Sequence, residues 1–215
     1  MSELWNSVVV YDLETTGMSS ETDRIIQIAA VRMRSDEICK DDFFFSYVNP
    51  ERFIPAWITE YTGISQEHTR YAPVIEMILP QFSSWVGDSI LAAHNGNRFD
   101  IKFLHASCDR GGFERREIQY FDTINLSWQV WGRRFISHSL DAVMERLGVS
   151  IGDMRRHDAR GDTFYLAECI QRMIAMYKKQ WGKFPEIKLK KGYLPRIFGS
   201  GSVIKDECQL LLIEP

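Results

Sequence analysis

Val8-Val9-Val10-Tyr11-Asp12-Leu13-Glu14-Thr15-Thr16-Gly17 begins as a run of β-branched residues and ends as two acids before a Thr-Gly turn signal. Such a run reads as a buried strand, and successive side chains of a strand point to opposite faces. Asp12 and Glu14 therefore share a face with Val8 and Val10. That face starts as core and finishes as a pair of carboxylates at the strand's C-terminal end. Side by side, two carboxylates repel unless a cation or a proton sits between them. Two acids in a loop after a short strand would give the same letters with no function, so the rest of the chain has to separate the two readings.

The length of 215 residues fits one ordinary domain, and an apolar content of 45% is enough for a full core. A net charge of -3 offers no overall attraction to nucleic acid, which usually favours a basic face. The cysteines Cys39, Cys108, Cys169 and Cys208 lie far apart, with neither zinc-site spacing nor a disulfide framework. There is no basic stretch followed by an apolar leader, and no apolar run long enough for a spanning helix. The expectation is a soluble, cytoplasmic protein that does not enter a membrane.

From the opening strand outward, residues 24–33 and 42–48 read as two more strands, and short links make the three an antiparallel meander. Residues 55–61 suggest a helical turn. Val74, Met77, Ile78, Phe82 and Trp85 recur at helical spacing after Pro73. Residues 89–93 form a fourth strand ending at His94-Asn95-Gly96-Asn97, and a helix follows through Phe99, Phe103 and Leu104. Residues 118–121 give a short fifth strand ending at Asp122. Helices over 123–130, 139–147 and 159–179 complete the pattern, with Ser139 as N-cap and Gly148 as stop for the second of them. Strands grouped first and then alternating with helices indicate an α/β domain with a mixed, five-stranded sheet flanked by helices. Lysines accumulate after Trp181, Gly199-Ser200-Gly201-Ser202 resembles a linker, and residues 209–213 turn apolar again. The expected division is a domain over residues 1–180 and a C-terminal extension over 181–215 whose apolar end docks on the domain or on a partner.

Two further acidic stations follow. Asp100 stands in the first turn of the helix after the fourth strand, where an acid also suits the helix dipole. His157 and Asp162 are five apart, about 500° on an ideal helix, and share no face if both are helical. They converge only if His157 sits in the loop before the helix and Asp162 one turn inside it. Taken singly, each is a helix-start acid or a loop histidine. Together, Asp12, Glu14, Asp100 and Asp162 all stand at strand ends or helix starts, where the clefts of α/β sheets open. Oxygen ligands without cysteine suit Mg²⁺ or Mn²⁺, and two such ions about 3.5–4 Å apart clamp the oxygens of a phosphodiester. A histidine, with a reference pKa of about 6.5, can deprotonate the attacking water.

Tyr11-Asp-Leu-Glu-Thr-Thr-Gly17, His94-Asn-Gly-Asn-Arg-Phe-Asp100 and His157-Asp-Ala-Arg-Gly-Asp162 resemble the three exonuclease motifs of the DEDD superfamily. The histidine five before the last acid resembles its DnaQ-like branch, to which the proofreading subunits of bacterial DNA polymerases belong. Thr62-Gly63-Ile64 and Phe103-Leu104 match as well. The resemblance implies a ribonuclease H-like fold and 3′→5′ exonuclease action with two metal ions, releasing nucleoside 5′-monophosphates. It implies that Asp12, Glu14 and Asp162 are direct ligands, that Asp100 holds the second ion largely through water, and that His157 is the general base. Thr15, Thr16, Met18, Ile64, His94, Asn95 and Phe99 would line the groove for the terminal nucleotide. Arg98, Arg115-Arg116, Arg133-Arg134 and Arg155-Arg156 are either solvated charges or phosphate contacts.

Within this reading the substrate is the 3′ end of nucleic acid, with single-stranded DNA in proofreading or repair ahead of RNA trimming. A polymerase or a second copy would attach through residues 181–215. The competing class is a binding module that keeps the fold without catalysis. It would be favoured by loss of a carboxylate, and all of them are present.

Overall fold

The computed structural model describes residues 3–134, 136–150 and 157–197. The apolar run forms β1 (Val8–Thr15), and β2 (Ile25–Arg34) and β3 (Glu37–Tyr47) complete the antiparallel meander. Two short helices, α1 (Ala56–Thr62) and α2 (Gln66–Thr69), lead to α3 (Ile75–Val86). β4 (Ile90–Ala93) joins the free side of β1 in parallel, α4 (Asp100–Arg110) follows, and β5 (Arg115–Asp122) pairs parallel to β4. The helices α5 (Thr123–Trp131), α6 (Leu140–Leu147) and α7 (Ala159–Trp181) come next, and β6 (Lys190–Pro195) returns antiparallel to β5. Across the sheet the order is β3-β2-β1-β4-β5-β6.

The sheet is mixed and flanked by helices, as the sequence indicates, but it has six strands where five are expected. The additional strand comes from residues 190–195, inside the stretch expected to be an extension. Its letters, Lys-Lys-Gly-Tyr-Leu-Pro, look like a solvated tail. Pairing with β5 and burial of Gly192 and Leu194 make it a strand. Gly192 fits closely there: a Cβ would lie 3.0 Å from His105 Nε2 and 3.2 Å from the Tyr120 ring, so either ring would have to shift slightly to admit one. β3 likewise starts earlier than its aromatic run. Ser35 and Asp36 both have positive φ, 52° and 70°, which suits the tight turn joining β2 to β3. Met77, placed by spacing on the apolar stripe of α3, is exposed; Ile75, Ile78, Leu79, Phe82 and Val86 bury the helix.

The alternation of β1 divides the core. Val9, Tyr11 and Leu13 pack on one face of the sheet with α3 and α4, and Val8 and Val10 pack on the other with the residues of α5, α6 and α7. Full burial of each such side chain contributes about 1.5–3 kcal/mol, so the alternation fixes which face Asp12 and Glu14 occupy. They lie on the α7 side. Among the described residues no helix is long and apolar enough to cross a membrane. The apolar end at residues 209–213 and the pair Arg155-Arg156 lie outside the described residues.

Candidate active site

The first turn of α7 is fastened to the sheet by side chains of β2 and α7. Gln27, fully buried on β2, accepts the Ala159 N–H at 2.8 Å, and Thr163 Oγ1 donates to the Ala29 carbonyl at 3.4 Å. Asp158 caps the helix by accepting the Arg160 N–H at 3.0 Å. Asp162 is thereby directed at β1 from a helix N-terminus, where the dipole favours an anion. Oxygens of Asp12, Glu14 and Asp162 all lie within 4.8 Å of one another. At the edge of this cluster β1 slips register between Glu14 and Thr15, a local irregularity of the kind that re-aims side chains beside sites.

His157 sits in the loop before the helix with φ 62°, and its backbone N–H donates to Asp162 Oδ2 at 3.2 Å. The convergence of His157 and Asp162 thus uses a loop residue and a helical one. The imidazole stacks on Tyr61 of α1, with centroids 3.9 Å apart and planes at 27°.

Asp100 opens α4 and is buried, outside the cluster of Asp12, Glu14 and Asp162. Burial pushes its carboxyl up to about 7. The backbone amides of Asp100 itself and of Leu13 favour the charged form, whereas the charge of Asp122 opposes it. Leu13 lies between Asp12 and Glu14, so this contact places Asp100 beside β1. Its Oδ1 is buried without a hydrogen-bond partner among the described residues. A buried carboxylate oxygen in that condition calls for a ligand. The donor set consists of carboxylates alone, which suits a hard divalent cation such as Mg²⁺ or Mn²⁺.

The expected groove residues separate into exposed and built-in groups. Met18 is 76% exposed and Asn95, with φ 60°, is also exposed. Thr15 and Thr16 are buried and their hydroxyls close the turn after β1: Thr15 Oγ1 donates to the Gly17 carbonyl at 2.6 Å, and Thr16 Oγ1 accepts the Arg24 N–H at 3.0 Å. Ile64 packs with Ile26, Ile54 and Ile58, and Phe99 leans on Phe103. His94 bridges Thr123 Oγ1 and the His138 carbonyl, both at 2.8 Å. Arg98 is exposed. Arg115 pairs with Asp109 at 2.7 Å, Arg116 donates to the carbonyls of Gly87 and Ser83, and Arg133 covers Trp128.

Three residues that sequence reasoning passes over shape the site. Gln27 and Tyr61 carry no signal of their own, since a glutamine in an apolar strand and a tyrosine in a short helix are commonplace. Asp122 had one, as an acid between a strand and a helix. Its oxygens accept the N–H groups of Asn95 at 3.0 Å, Asn97 at 3.1 Å and Ile124 at 3.0 Å. The loop leading to Asp100 is thus clamped to the end of β5.

A profile of exonucleases, RNase_T, matches residues 9–170. The chain belongs to this exonuclease family. Relatives of this exonuclease include the PolC-type DNA polymerase III of Thermotoga maritima, 37% identical over 171 residues that cover 80% of this chain and 12% of the relative. The PolC-type enzyme of Staphylococcus aureus is 33% identical over 167 residues, 77% of this chain and 11% of the relative. The chain therefore spans a small fraction of these polymerases. The fold also matches the nuclease domain of 3′hExo, a DEDDh family member bound to rAMP, with TM-score 0.70 and 19% identity over 87% of this chain and 98% of that one. Exonuclease X in complex with 5′ overhanging duplex DNA matches with TM-score 0.63 and 20% identity over 82% and 93%. The exonuclease family and its ribonuclease H-like fold are those the motifs resemble.

Proposed function

We propose that this exonuclease acts from the 3′ end, depends on divalent metal, and releases nucleoside 5′-monophosphates from single-stranded DNA. The observation that carries the reading is the convergence of Asp12, Glu14 and Asp162 within 4.8 Å, with the His157 amide bonded to Asp162. Asp12, Glu14 and Asp162 would hold Mg²⁺ or Mn²⁺, and Asp100 would hold the water shell of a second ion. When bound, such ions act as Lewis acids on the oxygens of the scissile phosphodiester. His157 takes a proton from the attacking water as its oxygen bonds to phosphorus. The P–O3′ bond breaks, the leaving O3′ takes a proton from solvent so that the shortened strand ends in a 3′-hydroxyl, and the terminal residue leaves as a 5′-monophosphate. Met18 and Ile64 pack on the terminal base or sugar, and Phe99 lines the same groove. Thr15 and Thr16 lie beside the terminal nucleotide, and His94 and Asn95 line the same groove, while the Thr15, Thr16 and His94 side chains also tie the surrounding backbone.

DNA is favoured by the PolC-type polymerases among the relatives. Attachment to a polymerase or to a second copy would run through residues 181–215 outside β6, which the sheet already uses. The test is parallel digestion of DNA and RNA oligonucleotides of one sequence, with EDTA and then with Mg²⁺ or Mn²⁺. Metal-dependent loss of DNA ahead of RNA supports the reading. Faster loss of RNA would make it an exoribonuclease, and binding without cleavage under every condition would make it a non-catalytic module.

A further inference from the structure

α1 turns two large aromatic side chains to solvent on one face. Trp57 and Tyr61 are 53% and 54% exposed. Being four residues apart, they stand one above the other, about 6 Å along the helix axis. The adjoining face, about 100° round the axis, is anchored, because Ile58 and Thr62 are buried and Ile58 packs with Ile26, Ile54 and Ile64. The core side of the helix is filled, so the exposed rings are not a core face left without its layer. The aromatic face also reaches the site, since Tyr61 stacks on His157 and the His157 amide is bonded to the Asp162 carboxylate. From the candidate active site it runs back one helical turn to Trp57.

We propose that this face is a base-stacking platform for the unpaired strand behind the 3′-terminal nucleotide, with Trp57 carrying the second or third base from the end. The assignment rests on the exonuclease reading above. A chain of net charge -3 gains little from phosphate neutralisation over its whole surface. Stacking of bases on aromatic rings binds a single strand with little regard to sequence, since every base has a π-face. The separation of about 6 Å spans one to two nucleotides at the rise of about 3.4 Å of a stacked strand. Paired bases keep their faces inside the duplex, so the platform fits only an unpaired end. It therefore names a specificity residue for the unpaired strand.

The experiment measures oligonucleotide affinity by fluorescence anisotropy with the full chain in EDTA, where no strand is cut. Trp57→Ala is expected to weaken single-strand binding on the order of 10-fold or more, with Trp57→Phe keeping most of the affinity. Trp181→Ala is the control. Trp181 is 57% exposed at the far end of α7, about 33 Å of helix from Ala159, and its loss should change nothing. An oligonucleotide with abasic second and third positions should bind the native protein more weakly by a similar factor, and Trp57→Ala should bind it no worse than that. The slope of affinity against salt should be the same for both proteins, because no phosphate contact is removed.

Unchanged affinity in Trp57→Ala, or losses from variant and abasic strand that multiply, would overturn the platform. So would self-association that Trp57→Ala abolishes with oligonucleotide affinity untouched, which would give the face to a second copy. If the native protein digests oligonucleotides while Trp57→Ala binds them normally, only the platform fails. If the native protein digests none, the exonuclease reading fails first.

Discussion

Asp12, Glu14 and Asp162 bring three carboxylates within 4.8 Å, and without a cation they repel. Asp12→Asn keeps the shape and removes a charge. In EDTA the variant should melt at or above the native temperature. Added Mg²⁺ should raise the native melting temperature and leave the variant nearly unmoved. Turnover should fall by about a thousandfold or more, the scale of losing several kcal/mol of transition-state stabilisation. Near-native turnover in the variant would dismiss the metal cluster. At His157 the expectation differs: His157→Ala should lower kcat by about 10²–10⁴-fold while calorimetry still finds Mg²⁺ binding. Loss of metal binding instead would make His157 a ligand. At this scale legibility was uneven. The shared face of Asp12 and Glu14 follows from strand period alone. Asp100 and Asp162 each had a sufficient explanation as helix-start acids, so only their company marked them. Tyr61 had no sequence signal, because its stacking partner lies 96 positions away and the contact is made by the fold.

The elements were legible where apolar periodicity dominates and obscure where pairing does. β1, β2, β4 and α7 follow their patterns. β6 does not, since its Lys-rich letters become a strand only through contacts with β5 and α4. One of those contacts is sensitive to pH. His105 Nε2 accepts the Tyr193 N–H at 3.1 Å, and the two rings stack with centroids 3.8 Å apart. Burial lowers the pKa of His105, the charge of Asp109 on the same helix raises it, and Arg115 of β5 lowers it. A lowered folded-state value means that the contribution is present above the unfolded value of about 6.5 and is lost as pH falls through the folded one. Urea unfolding of the native protein should therefore show declining stability below about pH 6.5, and His105→Phe, which keeps the stack but not the acceptor, should show a flatter profile. Identical profiles would mean that His105 does not fasten β6.

Across the whole molecule, function follows from where the sheet ends. β1 and β4 are parallel neighbours, so the end of β1 and the loop from β4 to Asp100 open on one side, and Gln27 fastens the α7 start there. Composition concealed this, because a chain of net charge -3 does not advertise nucleic acid. In the proposed reading the affinity is local, in carboxylates that would take metal and in aromatic rings that would take bases. The central claim is polarity at that cluster. A single-stranded DNA oligonucleotide labelled at its 5′ end is incubated with the protein and Mg²⁺, and the products are followed in time. Cleavage from the 3′ end predicts a ladder of progressively shorter labelled strands, with the labelled mononucleotide appearing only at the end and no ladder with Asp12→Asn. Early release of the labelled mononucleotide, or an undigested strand under all metal conditions, would contradict it.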